Sequence, residues 1–188
     1  MRSAIFGLLG VVLGWALSFL TQLWFEKKRK SSEKQKLLKL FLMDVTILNK
    51  RYQEVFGQYV ESHDEKLVFE RFTGIKSDYF SIFDKNTDQL GILEDNVVKK
   101  LGDFYINAKG YTDTLRVYEE ELKRYFTLKD MVSKLALTGQ RNPIFEEDLR
   151  NFTTWMIEVF KVIRVEHNAM KERFNQVKEI LERASPSS

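Results

Sequence analysis

The fold of this chain is decided by residues 97–125, VVKKLGDFYINAKGYTDTLRVYEEELKRY. Apolar and aromatic side chains recur there at alternating spacings of four and three residues, which is the repeat of one helical face. The repeat predicts a helix from about Asp95 to Leu137. Its apolar positions are Val97, Leu101, Phe104, Ala108, Tyr111, Leu115, Tyr118, Leu122 and Tyr125. Gly102 and Gly110 each destabilise a helix by about 1 kcal/mol relative to alanine, so we expect another helix to pack closely against them.

Two further long helices are predicted on either side of this one. Thr138-Gly139 ends the central helix, and Asn142-Pro143 begins the last one, with proline in the first turn where its missing N–H is not needed. Towards the N-terminus, a repeat of three and four predicts an amphipathic helix over about residues 32–62. The residues of that repeat are Leu38, Phe41, Val45, Leu48, Tyr52, Val55 and Tyr59.

The stretch 64–93 has a less regular pattern and is rich in aromatic residues. It predicts short helices, one of them from about Ser77 to Leu90 with Gly91 after its C-terminus. The fold class is therefore all-α, an antiparallel bundle of three long helices with a short helical insertion. This bundle domain covers residues 38–183, and residues 184–188 form a disordered tail.

The N-terminal region contains a long uncharged segment. Residues 4–25, AIFGLLGVVLGWALSFLTQLWF, would form a helix of about 33 Å, which matches a hydrocarbon core of about 30 Å. A cleaved signal peptide is the alternative, but the apolar run is longer than a signal peptide requires and no A-x-A-like cleavage site follows. The sequence predicts a transmembrane helix over residues 4–25, preceded by a short flank, residues 1–3.

Basic residues follow the predicted span in the juxtamembrane segment 26–37, whereas only Arg2 and the amino terminus precede it. Because positive charge is retained on the cytoplasmic side, we expect a single-pass protein of the cell inner membrane with its C-terminal domain in the cytoplasm. The cluster either sets topology alone or also binds anionic headgroups. The candidate headgroup contacts are Lys27, Lys28, Arg29, Lys30 and Lys34.

Small residues of the span fall on one side of the predicted helix, within an arc of about 80°. They are Ser3, Gly7, Gly10, Gly14, Ser18 and Thr21. Gly10 and Gly14 form a G-x-x-x-G motif, which permits close approach of two helix backbones in a membrane. Glycine is common in membrane helices, so the motif is either ordinary composition or a contact face for a second copy or another protein.

No catalytic constellation is evident. The chain has no cysteine and two histidines, His63 and His167, and it lacks phosphate-loop, nucleophile-elbow and metal-protease motifs. His167 lies on the apolar face of the last helix, where a hydrogen-bonded structural histidine is the better interpretation and a pH-responsive role the alternative. The net charge of +3 is too small for a nucleic-acid-binding surface to be inferred from it, and we expect no nucleic-acid partner. We expect no enzyme activity, no cofactor and no small-molecule substrate.

Several short segments resemble a group of uncharacterised bacterial single-pass membrane proteins with a small cytoplasmic helical domain. The segments are Tyr79 to Phe83, Leu90-Gly91-Ile92-Leu93, Val97-Val98 and Phe104-Tyr105, within residues 4–115. The resemblance implies a bacterial inner-membrane setting and carries over no activity or functional residue.

An anchor, a well-patterned bundle and the lack of catalytic motifs favour an interaction protein. The sequence predicts a membrane-tethered scaffold or adaptor that binds membrane lipids and a protein partner or a second copy. The alternative is a membrane-active effector, phage-related or defensive, that acts through self-association of its transmembrane helix.

Overall fold

The computed structural model describes residues 2–71 and 80–185, except for the side chains of residues 2–13 and 16. Within these residues the chain is helical and contains no strand, which confirms the predicted all-α class. The elements are α1 (Arg2–Tyr52), a π-helical turn (Gln53–Gly57), α2 (Gln58–Ser62), α3 (Ser81–Lys85), a 3-10 helix (Thr87–Ile92), α4 (Asp95–Leu137) and α5 (Pro143–Ala184).

The ends of α4 and α5 are determined by local sequence. Gly139 has a φ of 74°, a left-handed conformation that glycine adopts without strain, and the amide of Gln140 donates to the carbonyl of Leu135 at 2.9 Å. Asn142 then caps α5, since its side-chain oxygen accepts from the amide of Ile144 at 3.0 Å. Both predicted boundaries, Leu137 and Pro143, are confirmed.

The three long helices are not all antiparallel. Lys34 of α1 is paired with Glu94 just before α4, and further along α1 Tyr52 meets Tyr111 of α4, so these two helices run in the same direction. Helix α5 runs opposite to both. The predicted antiparallel arrangement is thus right for the pairs that include α5 and wrong for α1 and α4. The segment between α2 and α4 returns to the end of the bundle at which α1 enters. Helix α4 therefore starts at the same end as α1 and can run parallel to it.

Two clusters of buried side chains hold the bundle together. The basal core lies where α1 enters the bundle and comprises Leu37, Leu38, Phe41, Val45, Phe80, Leu93, Val97, Leu101, Phe104, Tyr105, Val177 and Leu181. The distal core lies near α2 and comprises Phe56, Val60, Phe69, Tyr111, Leu115, Tyr118, Leu122, Tyr125, Met156, Phe160 and Ile163. Their apolar burial is the main stabilising contribution to the fold.

The π-helical turn changes which residues of the first helix face the core. The sequence repeat placed Val55 and Tyr59 on the buried face, but Phe56 and Val60 are buried completely, and Val55 is 39% exposed. A π turn inserts one extra residue into a helix, so the buried face moves by one position after Tyr52. The expectation for Val55 was therefore wrong by one residue, whereas Tyr59 is partly buried and packs against the distal core.

Two other expectations fail. The predicted helix from Ser77 to Leu90 is replaced by α3 and the 3-10 helix, with Gly91 inside the latter; residues 77–79 lie outside the described part of the chain. Gly102 and Gly110 have no neighbouring atom within 4 Å of where a Cβ would lie, so among the described residues no helix packs closely on them.

Helix α1 extends well beyond the bundle at its N-terminal end. Every residue from Leu17 to Glu33 is exposed, a length of about 25 Å, and burial starts only at Leu37. Part of the predicted span lies outside the described part of the structure, namely the side chains of residues 4–13 and of Ala16. Among the residues that the structure describes, no helix combines the length and apolar character needed to cross a membrane.

Candidate functional site

The polar group at the centre of the bundle is His167 of α5, which is 1% exposed. It lies on the apolar stripe of α5, four residues after the fully buried Ile163, so the helical repeat directs it inward. Tyr52 approaches it from α1 and Tyr111 from α4, and the Tyr52 and Tyr111 ring centroids are 5.8 Å apart. The sequence interpretation of His167 as a hydrogen-bonded core histidine is confirmed.

Both ring nitrogens of His167 have partners. Nδ1 lies 2.5 Å from the Tyr52 hydroxyl, and Nε2 lies 3.2 Å from Oε1 of Glu61 in α2. An ionised carboxylate only accepts, so Nε2 carries the hydrogen and Nδ1 accepts from Tyr52. The Tyr52 oxygen in turn lies 3.0 Å from the Tyr111 hydroxyl, which also lies 3.4 Å from the carbonyl of Ile163. A hydrogen-bonded chain therefore joins all three long helices.

Burial controls the charge of this network. Desolvation lowers the pKa of His167 below its ordinary value, and hydrogen bonding to Glu61 opposes that shift. Glu61 has a lowered pKa because Lys171 and His167 both donate to it. Burial also raises the pKa of Tyr52 and Tyr111. At neutral pH the site therefore holds a neutral imidazole and two neutral phenols beside an exposed Glu61–Lys171 pair at 2.7 Å.

The end of α2 is fixed by Arg164, one turn before His167. Its Nη2 donates to the carbonyl of Val60 at 2.9 Å and to that of His63, and Nη1 pairs with Glu65. The last carbonyls of α2 thus receive a charged donor at the negative end of the helix dipole. This contact keeps Glu61 within reach of His167.

An apolar cavity of about 100 Å³ adjoins the network. Tyr52, Tyr111 and Lys171 belong to both its lining and the hydrogen-bonded chain, and Phe80 and Phe104 extend the lining towards the basal core. A Cβ at Gly57 would lie 3.0 Å from Cε1 of Tyr52 and 2.4 Å from Oε1 of Gln53. Glycine therefore leaves room for the Tyr52 ring at the edge of the cavity.

The small-residue stripe predicted for the span is described only in part. Ser3, Gly7 and Gly10 lie outside the residues with described side chains, whereas Gly14, Ser18 and Thr21 are exposed on the protruding part of α1. No atom lies within 4 Å of a Cβ placed at Gly14, and the Thr21 hydroxyl donates to the carbonyl of Leu17 at 2.7 Å. Within this one chain, the described part of the stripe has no tertiary contact.

The predicted headgroup-binding residues separate into two groups. Lys27, Lys28, Arg29 and Lys30 are exposed on the protruding helix, with the Lys28 ammonium 5.2 Å from the centre of the Trp24 ring. Lys34 is held against the bundle by Glu94 at 2.8 Å and contributes to packing α1 near α4. Among the described residues, Lys34 is therefore the one member of the set with a carboxylate partner outside α1.

The sequence patterns placed three members of the hydrogen-bonded network in the core, but they did not predict that these residues contact one another. Tyr52, Tyr111 and His167 were all assigned to apolar stripes, which is correct, but a repeat does not indicate which stripe positions face each other. No sequence pattern predicted a contact between Glu61 and the core, because Glu61 follows the π turn that shifts the helix face. Among the described residues, no group of histidine and acidic side chains could hold a metal ion.

Comparison with known proteins gives no further identification. No protein-family model, curated protein or solved structure matches the chain.

Proposed function

We propose that the chain is a membrane-tethered helical adaptor of the bacterial inner membrane, with its bundle in the cytoplasm and a protein partner bound at the far end of the α4–α5 hairpin. One observation carries the proposal: between Tyr125 and Met156, through the turn, no described side chain is fully buried although the apolar stripes continue. An apolar stripe on paired helices is stable when a further element covers it.

The uncovered surface, here called the hairpin seam, continues directly from the distal core. Six of its apolar side chains are half-buried: Leu128, Val132, Leu135, Phe145, Leu149 and Phe152. Further out, Met131, Leu137 and Ile144 are exposed, Leu137 by 87%. In the distal core α1, α2 and Phe69 supply the third side of the bundle, but α2 ends at Ser62. Among the residues that the structure describes, no third helix covers the seam as α1 and α2 cover the rest of the hairpin.

The geometry of the seam favours a helical partner. Two antiparallel helices leave a groove that an amphipathic helix fills with residues spaced three and four apart. The charges around the groove are mixed, with Lys134 paired to Asp130 within α4, and Glu146, Glu147 and Arg150 on α5. A partner of strong single charge is therefore disfavoured, and apolar contact would provide most of the affinity.

Support for the tether comes from the protruding part of α1. Large apolar side chains are exposed on it all around the helix, among them Trp15, Leu17, Leu20, Trp24 and Phe25. A helix that is apolar on every side is normally surrounded by lipid or protein. The basic residues 27–30 follow immediately, and in this proposal they lie at the cytoplasmic headgroups.

Site-specific photocross-linking in native cells tests the partner surface. Benzophenone side chains replacing Met131 or Ile144, both exposed on the hairpin, should give a discrete product with another protein. Replacing both Leu135 and Leu149 by aspartate should reduce that product about tenfold or more, since buried interface residues carry most of the binding energy.

Ile106 and Val162 provide the matched control positions, because both are exposed apolar residues on the same two helices outside the seam. The same probe at these positions should give no product. Equal cross-linking from Ile106 and Ile144, or a product made only of two copies of this chain, would contradict the proposal. Circular dichroism of each variant checks that the bundle remains folded.

A further inference from the structure

The cavity at the junction of the two cores has walls that suit an alkyl chain. The described lining is mainly apolar, from α1, α4, α5 and Phe80, and includes Leu48, Phe104, Leu115, Met170 and Phe174. Protein interiors normally leave few voids larger than a water molecule, since atoms beside a void lose their dispersion contacts. A volume of about 100 Å³ is thus large enough for an apolar molecule to restore contacts that the side chains do not make.

The size of the cavity limits the ligand. Apolar cavities of about 150 Å³ bind benzene-sized molecules and remain dry when empty. This cavity is smaller, about 100 Å³, and reaches from Phe80 and Phe104 of the basal core to Leu115 of the distal core. The lining residues of α4 extend from Phe104 to Leu115, about 16 Å of helix, so the space is narrow and admits the end of an alkyl chain better than a rigid ring.

The polar residues of the lining indicate a negative head group. The two charged side chains in the described lining, Arg51 and Lys171, are both basic, and the side-chain amides of Asn49 and Gln53 can donate hydrogen bonds. Lys171 is already paired with Glu61 at 2.7 Å, whereas Arg51 has no ion pair with any residue the structure describes. Arg51 is therefore the cation available to an anion at the cavity edge.

We infer that this cavity binds one unbranched acyl chain with an anionic end, the chain lying among the apolar walls and the carboxylate or phosphate lying at Arg51. A free medium-chain fatty acid and a single-chain anionic lipid share this chemistry. The site uses none of the hairpin seam, so it is independent of partner binding. Its occupancy would affect Tyr52 and Tyr111, and through them the hydrogen bonds of His167.

Photolabelling of the full chain in phosphatidylcholine nanodiscs tests this inference. One probe is octanoate with a diazirine near its methyl end, and the other is a lysophosphatidylglycerol carrying the same chain. Peptide mapping should place the label within residues 48–55, 104–115 and 170–174, the segments that line the cavity. Labelling by either probe supports the site and identifies the source of the chain. Label confined to residues 4–25 would overturn it.

Two variants separate the chain from the head group. Ala108→Leu fills part of the cavity and should reduce labelling about tenfold, provided that its circular dichroism is unchanged. Arg51→Gln removes the exposed cation without altering the walls and should raise the octanoate concentration needed for displacement about tenfold. Lys50→Gln is the matched control, because Lys50 is the adjacent exposed cation and pairs with Glu54 on its own side of the helix. Its effect should be less than about twofold.

Competition with unlabelled molecules tests the charge directly. Octanoate should displace the probe, and octanol, with a similar chain and no charge, should require about a tenfold higher concentration. Equal displacement by octanol and octanoate would overturn the head-group assignment. Labelling unaffected by both Ala108→Leu and Arg51→Gln would overturn the site itself, and the surface substitution Arg51→Gln retains this test if Ala108→Leu fails to fold.

Discussion

Among the residues that the structure describes, the basal core contains a buried acid, Asp44, and the distal core a buried base, His167, and the two are stabilised differently. Asp44, 4% exposed, lies in the basal core, where the Tyr105 hydroxyl donates to its Oδ2 at 2.5 Å and no second donor occurs among the described residues. His167, 1% exposed, has a partner on each nitrogen, and Glu61 and Lys171 extend the network to the surface.

This difference shows two ways of placing a titratable group in an apolar interior. Burial raises the pKa of Asp44, so the basal core favours the protonated, uncharged acid. Burial lowers the pKa of His167, so the distal core favours the uncharged base. Burial thus favours the uncharged form of both side chains, the protonated acid for Asp44 and the deprotonated base for His167. In addition, both ring nitrogens of His167 have hydrogen-bond partners. The basal site should therefore be the more sensitive to the loss of a partner.

Removal of one tyrosine hydroxyl from each core should show the largest effect. Tyr105→Phe leaves Asp44 buried without its donor and should lower the free energy of unfolding by about 2–3 kcal/mol. Tyr52→Phe leaves Nδ1 of His167 without a donor but keeps the bond from Nε2 to Glu61, and it should cost less, about 1 kcal/mol. Urea denaturation of a fragment from Ser32 to Ser188, which contains both cores, measures the two values.

Tyr118→Phe provides the reference for a buried tyrosine whose hydroxyl bonds only to backbone, since it donates to the carbonyl of Phe69 at 2.9 Å. Its cost should be close to that of Tyr52→Phe. If Tyr105→Phe costs no more than this reference, Asp44 does not depend on Tyr105 and the contrast between the cores is wrong.

The fold was predictable where a single helix determines the pattern. Of the nine apolar positions assigned to α4, all except Ala108 are buried, and both ends of the helix follow from local turn and capping residues. Tyr105 was missed because it lies off the repeat. It is buried by Phe80 and Phe83, whose ring centroids lie 6.3 and 4.2 Å from the centroid of its own ring. That contact depends on a long-range return of the chain, which a helical period does not encode.

The candidate site was less predictable, for two physical reasons. The π turn shifts the buried face after Tyr52, and the sequence there offers no clearer signal than Gly57. The shared direction of α1 and α4 determines that Tyr52 faces Tyr111, but apolar stripes specify faces and not directions. His167 could be assigned to the core from its stripe, whereas its partner Glu61 required the tertiary structure.

Opposite pH dependences should distinguish the two buried groups. His167 has a lowered pKa in the folded chain, so below about pH 6.5 the unfolded chain binds the proton more readily. Stability supplied by neutral His167 is therefore present above that pH and falls on acidification, by at most about 1.4 kcal/mol per pH unit. Unfolding curves of the native fragment and His167→Gln between pH 8 and 5 isolate this loss.

Asp44 should give the reverse slope at lower pH. Its pKa is raised in the folded chain, so above the ordinary value of 3.8 the folded chain holds the proton more firmly than the unfolded one. The native fragment should gain stability relative to Asp44→Asn as the pH falls towards 4. A parallel pH dependence of the two proteins would show that Asp44 titrates normally, and would remove the basis for contrasting it with His167.

The smallest effect is expected for Glu61→Gln, which interrupts the route from His167 to the surface. Glu61 is about half-exposed, and an exposed pair contributes about 0.2–1 kcal/mol, so the change in unfolding free energy should be within that range and should diminish with added salt. The pKa of His167 is the more informative measurement, because hydrogen bonding to Glu61 opposes the effect of burial. Glutamine lacks the negative charge that favours the imidazolium, so NMR titration of the His167 ring should give a pKa lower than in the native chain.

Glu70→Gln is the control: Glu70 is similarly exposed and pairs with Lys129 at 2.7 Å, but it does not contact His167. An unchanged His167 titration in Glu61→Gln would mean that the Nε2–Oε1 contact is absent in solution, and that His167, like Asp44, relies on a single hydroxyl.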